Sequence, residues 1–187
     1  MADPHANLRR RRFVSRRVLV ALGLTALFVG LAGAPAGADT SAPVGAKAQE
    51  ARPLAQEACE QMVHDAIVSE LGGHPLPGPQ TGIWQGARYT CTYPLTGGQF
   101  VMRVDTFATP KLARRAYAST LKKSRGQQPL DGIGQKAFLA KNGQVVSQKD
   151  LFVLTADPAG VPRKSQRANV ALAAAEAVLS CWAGTNS

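Results

Sequence analysis

Beyond its first fifty residues the chain is read most directly from where its apolar positions fall. Gln56 to Leu71 places Cys59, Val63, Ala66 and Ile67 on one stripe at helical spacing, and Gly72-Gly73 supplies a stop. Residues 74–86 are loop-like, punctuated by Pro75, Pro77, Gly78, Pro79, Gly82 and Gly86. Tyr89, Cys91 and Tyr93 then alternate with Arg88, Thr90 and Thr92, the pattern of a half-buried strand. After Thr96-Gly97-Gly98, the positions Phe100, Met102 and Val104 repeat the alternation in a second strand. Thr109-Pro110 opens a helix with a hydroxyl at the N-cap and proline in the first turn. It should run to Lys123, with Leu112, Ala113, Ala116, Tyr117, Thr120 and Leu121 inward.

Three further strands are predicted at Ala137–Ala140, Val145–Gln148 and Leu151–Ala156. Asn142-Gly143 is a type I′ hairpin signal between the first two, and Lys149-Asp150 marks a second tight turn. Last comes a stripe of Ala168, Ala171, Leu172, Ala175, Val178, Leu179 and Trp182 at i, i+3, i+4, i+7, a helix with few polar positions and so one buried against a sheet. Tight turns between strands imply antiparallel pairing. The expected fold class is α+β: an antiparallel sheet of about five strands with three helices packed mainly on one face.

The N-terminal region follows a different grammar. Arg9, Arg10, Arg11, Arg12, Arg16 and Arg17 precede a largely apolar run from Val18 to Gly33, and small residues, Ala36 and Ala38, stand before Asp39. A basic segment, a short apolar segment and a small-residue cleavage site make an export signal. The run is shorter than the roughly 20 apolar residues of a membrane span and contains Gly23 and Gly30, which favours cleavage over an uncleaved anchor. Ser15-Arg16-Arg17-Val18-Leu19-Val20 is compatible with twin-arginine export and equally with an ordinary arginine-rich secretory signal. The chain therefore divides into a signal peptide (1–38), a flexible Ala-rich tether (39–53), one domain (54–182) and a tail (183–187). The expected location is secreted or extracytoplasmic; the alternative is anchorage by an uncleaved leader, which is also the only route to membrane contact.

Export changes the charge argument. The chain carries +10, but the leader's six arginines and one aspartate hold +5 of it, leaving +5. That is mildly basic, and nucleic acid is not expected as a partner. Three cysteines follow the leader, Cys59, Cys91 and Cys181. An oxidising compartment predicts one disulfide and one leftover thiol. Cys91 faces inward by alternation and Cys59 lies on the inner helical stripe, so Cys59–Cys91 is the expected pair. Cys59–Cys181, Cys91–Cys181 and three unbridged thiols remain open at this level.

At this point the element order resembles a group of small exported actinobacterial domains of unknown function, including lipoproteins and the sensor-like domains outside some membrane kinases. The resemblance rests on Cys59-Glu60-Gln61-Met62 with Leu71-Gly72, on Tyr89-Thr90-Cys91-Thr92-Tyr93, on Gly132-Ile133-Gly134-Gln135-Lys136-Ala137-Phe138 and on Leu179-Ser180-Cys181-Trp182. It spans roughly Gln56 to Trp182. Unlike the lipoproteins, this chain has no cysteine at the cleavage site to accept a lipid. The resemblance implies a fold and a compartment and brings no catalytic residues with it.

No arrangement of side chains announces an activity. Cys59 and His64 lie about 140° apart on a helix, and His64, Asp65, Glu70 and His74 show no metal-ligand spacing. Gly-x-Ser-x-Gly is absent, and Gly132-Ile133-Gly134 has no third glycine and leads into a strand. We expect no catalytic, cofactor or metal site. The most organised polar feature is one side of the second helix. Lys111, Arg114, Arg115, Lys122 and Arg125 project within a sector of about 100°, and no acid interrupts residues 106–130. That face suits an anionic envelope component or a secreted acidic partner; a solvated helix face would look the same. The functional expectation is a non-enzymatic binding domain at the cell envelope or outside the cell. The alternative is a small secreted hydrolase assembled from His64, Asp65, Asp105 and Asp157, which requires them to converge in a pocket. A chaperone or inhibitor would instead expose an apolar patch.

Overall fold

The computed structural model describes Gln49 and residues 51–184. The leader, most of the tether and the last three residues lie outside the described residues.

Seven strands form one sheet: β1 (Thr81–Gln85), β2 (Arg88–Leu95), β3 (Gly98–Thr106), β4 (Gln128–Leu130), β5 (Lys136–Leu139), β6 (Val145–Lys149) and β7 (Phe152–Asp157). Their spatial order is β1-β2-β3-β7-β6-β5-β4, with every neighbouring pair antiparallel. The sheet is two meanders, β1–β3 and β4–β7, joined where β7 lies beside β3. The fold is α+β as expected, with seven strands in place of about five. Both additional strands are the sheet's edges.

The α-helices that accompany the sheet among residues 51–184 are the short α1 (Arg52–Gln56), α2 (Gln61–Glu70), α3 (Pro110–Lys123) and α4 (Arg167–Gly184). Ala51, just before α1, is buried. The expected single helix over Gln56–Leu71 is broken. A 3-10 turn, Glu57–Cys59, is followed by Glu60 in an extended conformation (φ −78°, ψ 161°), and α2 starts anew after it. The break lets Cys59 reach across to β2.

The helices do not share one face. α1, α2 and α4 cover the face built by Tyr89, Cys91, Tyr93, Phe100, Met102, Val104, Val145, Leu154 and Ala156. α3 lies on the other face, where Ala113 and Tyr117 meet Phe138, Val146 and Val153. The expectation of three helices mainly on one side is corrected here. The chain leaves β3, beside the central strand β7, and must reach β4 at the far edge, and α3 makes that crossing over β5–β7. Strand composition records the result. Val145, Val146, Ser147 and Gln148 are all buried, as are Phe152, Val153 and Leu154, because β6 and β7 are covered on both sides. Leu112, expected inward, is 43% exposed: the face α3 buries is narrow.

Two hairpins differ in detail from expectation. The β5–β6 loop is the three residues Lys141, Asn142 and Gly143, closed by Ala140 N–H donating to Gln144 C=O at 2.8 Å, and Gly143 alone has φ > 0 (87°). That is the longer hairpin with a left-handed glycine rather than a type I′ turn. The β6–β7 turn is centred on Asp150 and Leu151, with Asp150 at φ 49°.

Candidate functional site

Cys59 and Cys91 form a disulfide, with Cα atoms 5.4 Å apart and a separation of 32 positions in sequence. It pins the 3-10 turn to the middle of β2, and Tyr93 O–H donates to Ala58 C=O at 2.8 Å beside it. Burial pushes the Tyr93 phenol well above its usual range, so it remains a donor. A bridge of this kind belongs to an oxidising environment. Cys181 is the free thiol, half-buried on α4. Burial, followed by the adjacent Glu57 carboxylate, raises its pKa and keeps it protonated. Glu57 is raised in turn, chiefly by burial and further by the nearby Glu60 carboxylate, with the Cys181 thiol opposing the rise.

The groups a hydrolase would need do not converge. His64 and Asp65 meet on the outer side of α2, Nδ1 to Oδ1 at 3.1 Å. Asp105 is held by Arg88 (Nε donating at 2.6 Å), and Asp157 by Arg103 at 3.5 Å, as cross-strand pairs on the sheet. None of the four lines any of the clefts described below. His74 lies in a separate open cleft of about 310 Å³ with Leu71, Leu76, Leu95, Pro162 and Arg163. Among the described residues no group of three His, Cys, Asp or Glu side chains is placed to hold a metal ion. No helix of the described residues is long and apolar enough to cross a membrane.

The basic residues are organised differently. α3 starts as its sequence dictates: Thr109 Oγ1 accepts from Leu112 N–H, and Pro110 occupies the first turn. Lys111, Arg114, Arg115 and Lys122 are exposed on it, away from the sheet. Arg125 lies beyond its end, since Ser124 is already extended (φ −79°, ψ 149°). It is no longer on the helical face where the sequence projected it. Lys123, which the projection left out, is also exposed.

The sheet separates the charges of the helices. Residues 51–70 and α4, on one face, carry Glu57, Glu60, Asp65, Glu70 and Glu176 against Arg52 and Arg167. α3, on the opposite face, carries five cations and no acid. Beside the end of α3 lie two clefts. One, of about 470 Å³, is lined by Lys123, Ser124, Arg125, Ala140, Lys141, Asn142 and Gln144. The other, of about 450 Å³, has Gly126, Gln128, Lys141, Gly143, Lys164 and Arg167 in its walls. A third, of about 410 Å³, lies along the side of α3 between Arg114, Tyr117 and the β4–β5 segment. Burial raises the Tyr117 phenol, leaving it neutral there.

Sequence reasoning found four of the five cations of α3, leaving out Lys123, and did not single out Lys141 and Lys164, whose neighbours in the chain give no hint that the fold brings them together. No family model, curated protein or solved structure matches this chain, so the site rests on its own residues.

Proposed function

We propose that this chain is an exported, non-enzymatic domain that binds a partner at the cell envelope or outside the cell, through the basic side of α3. The observation that carries this reading is the partition of helical charge across the sheet: five cations and no acid on α3, against five acids and two arginines over residues 51–70 and α4 on the opposite face. A helix that needed polarity only for solubility would do as well with mixed signs, which i,i+4 pairing favours. Lys111 and Arg115, i,i+4 on this helix, repel instead. The leader, with its arginines and Ala-x-Ala-like end, supports export, and the Cys59–Cys91 bridge fits the compartment that export leads to. The test is charge reversal. Arg114→Glu with Arg115→Glu should abolish cosedimentation of the protein with cell-envelope material at low salt, and the wild type should lose it as salt rises through the range where the Debye length falls below about 10 Å. Unchanged binding by the double variant ends the proposal.

A further inference from the structure

Resting on that reading, we infer that the binding surface is not a flat helix face but a bent groove, running from the end of α3 over the β5–β6 hairpin to the start of α4, and that its occupant is a flexible linear polyanion. Three basic segments distant in sequence meet here: Lys122 to Arg125, Lys141, and Lys164 to Arg167. The joints between them are backbone contacts. Lys141 N–H donates to Arg125 C=O at 3.1 Å. Gly126 packs so closely on Lys141 that an added Cβ would lie 3.0 Å from the Lys141 Cβ. A Cβ on Gly143 would come within 2.8 Å of the Arg167 Cβ, so the hairpin tip is seated on the first turn of α4. Arg167 holds the far side together, Nη2 donating to Ala159 C=O at 2.9 Å and Nε to Val161 C=O at 3.1 Å.

The two clefts share Ala140, Lys141 and Asn142, so Lys141 stands between them. Neither cleft has an acidic residue in its lining. The ion pairs of the described residues, His64–Asp65, Arg88–Asp105 and Arg103–Asp157, use none of these cations. Gathering like charges costs free energy, and of these cations Arg167 alone is given a partner within the fold, the Ala159 and Val161 carbonyls; Lys141 and Lys164 are exposed. An external anion offsets that cost. Gln128, Asn142 and Gln144 add neutral amides beside the cations. Each cleft has room for about one sugar ring or one hydrated phosphate. Two such clefts around a shared lysine suit consecutive anionic units of one chain, phosphodiester or uronate. A bilayer surface is flat and would meet the convex side of α3 while leaving the clefts empty.

The experiment titrates the exported protein with long-chain polyphosphate, with polygalacturonate and with phosphatidylglycerol vesicles at two salt concentrations. The wild type should bind one of the polymers more tightly than the vesicles, and which polymer wins names the anionic group. Lys141→Gln with Lys164→Gln should weaken that binding about tenfold and lower its salt dependence by about one cation per lysine. Lys136→Gln with Lys149→Gln, which lie outside both clefts, should leave it unchanged. All four side chains are exposed or half-buried, and an unchanged thermal midpoint checks folding. If Lys141 and Lys164 can be neutralised without effect while the Arg114/Arg115 reversal still abolishes binding, the groove is wrong and the α3 face stands. Vesicle binding without polymer binding also overturns the groove, in favour of a membrane surface. If no anion binds at low salt, the function proposed above falls with it.

Discussion

Three residues around the first turn, Glu57, Cys59 and Cys181, show how far side-chain chemistry here serves stability. The bridge from Cys59 to Cys91 closes a loop of 32 residues, and in the chain-entropy picture that contributes about 3–4 kcal/mol. Replacing both cysteines by alanine should lower the unfolding free energy by that amount and steepen its dependence on urea, because the uncrosslinked unfolded chain exposes more surface; a markedly smaller loss would mean that the unfolded chain is constrained by other means. Cys181 should stay unmodified by a thiol reagent at pH 7 in the native protein and react once the chain is unfolded, because burial and the Glu57 carboxylate both hold it protonated. Glu57 gives the pH-dependent case. Its folded pKa is raised, so the native state holds the proton more tightly than the unfolded chain does. The stability this provides is present at acid pH and is lost as the pH climbs through the raised value. One carboxylate oxygen, Oε2, is also buried with no hydrogen-bond partner. Glu57→Gln should therefore raise the thermal midpoint at pH 7, and the advantage should vanish near pH 4, where the unfolded glutamate is itself protonated. An equal gain at both pH values would show that charge is not the cause.

At the level of elements, legibility follows burial. β2, β3, β5, β6 and β7 were readable because each has a covered face and so an apolar pattern. β1 and β4 were not, because edges need no such pattern: β1 has Gly82 in it and leaves Ile83 59% exposed, and β4 has Pro129 at its centre. Proline is tolerated where a backbone N–H is not required by a neighbour. The broken first helix was hidden for another reason. Nothing in Gln56 to Leu71 disfavours helix strongly, and it is the tertiary link from Cys59 to Cys91 that sets the break at Glu60. The start of α3, by contrast, was written locally in Thr109-Pro110, and the prediction there is local too. Thr109→Ala removes the side-chain acceptor of the Leu112 N–H, leaving only the Thr109 carbonyl, and should cost about 1 kcal/mol in denaturant unfolding; no change would mean that proline and the main chain set the start. Gly160 follows β7, in the turn that leaves the sheet. It packs directly on the Gln99 backbone, to whose carbonyl its N–H donates at 3.2 Å. Gly160→Ala must push the two segments apart and should cost about 1–3 kcal/mol.

Over the whole molecule, the feature the sequence concealed is that the sheet is a partition. The residues that could have revealed it are in β6 and β7, where Val145-Val146 and Phe152-Val153-Leu154 are consecutive apolar positions, the mark of a strand buried on both faces. Read as members of a one-sided sheet, they place α3 on the wrong side. The partition also makes the two sides unequal in strength. α4 buries Val170, Ala171, Ala174, Ala175, Val178, Leu179 and Trp182, whose indole N–H donates to Leu54 C=O at 2.8 Å. α3 buries Ala113 and Tyr117 alone, the tyrosine ring edge-on to Phe138 with centroids 5.6 Å apart. Its five cations repel one another as well. Local opening draws on elements with few buried contacts, so α3 should exchange its amide hydrogens faster than α4 under native conditions. Added salt screens the repulsion between exposed charges, and it should slow exchange in α3 while leaving α4 nearly unchanged. Tyr117→Ala removes most of the apolar anchorage and should cost about 3–5 kcal/mol if the loss is global. If α3 detaches as a unit, the cost instead appears as exchange in residues 110–123 near the rate of an unfolded peptide, with α4 still protected. A polyanion in the groove would link the end of α3 to the β5–β6 hairpin and the start of α4, and it should restore protection to α3 in the wild type. Equal exchange in the two helices, insensitive to salt, would show that α3 is held as firmly as α4 and that its charge costs the fold nothing.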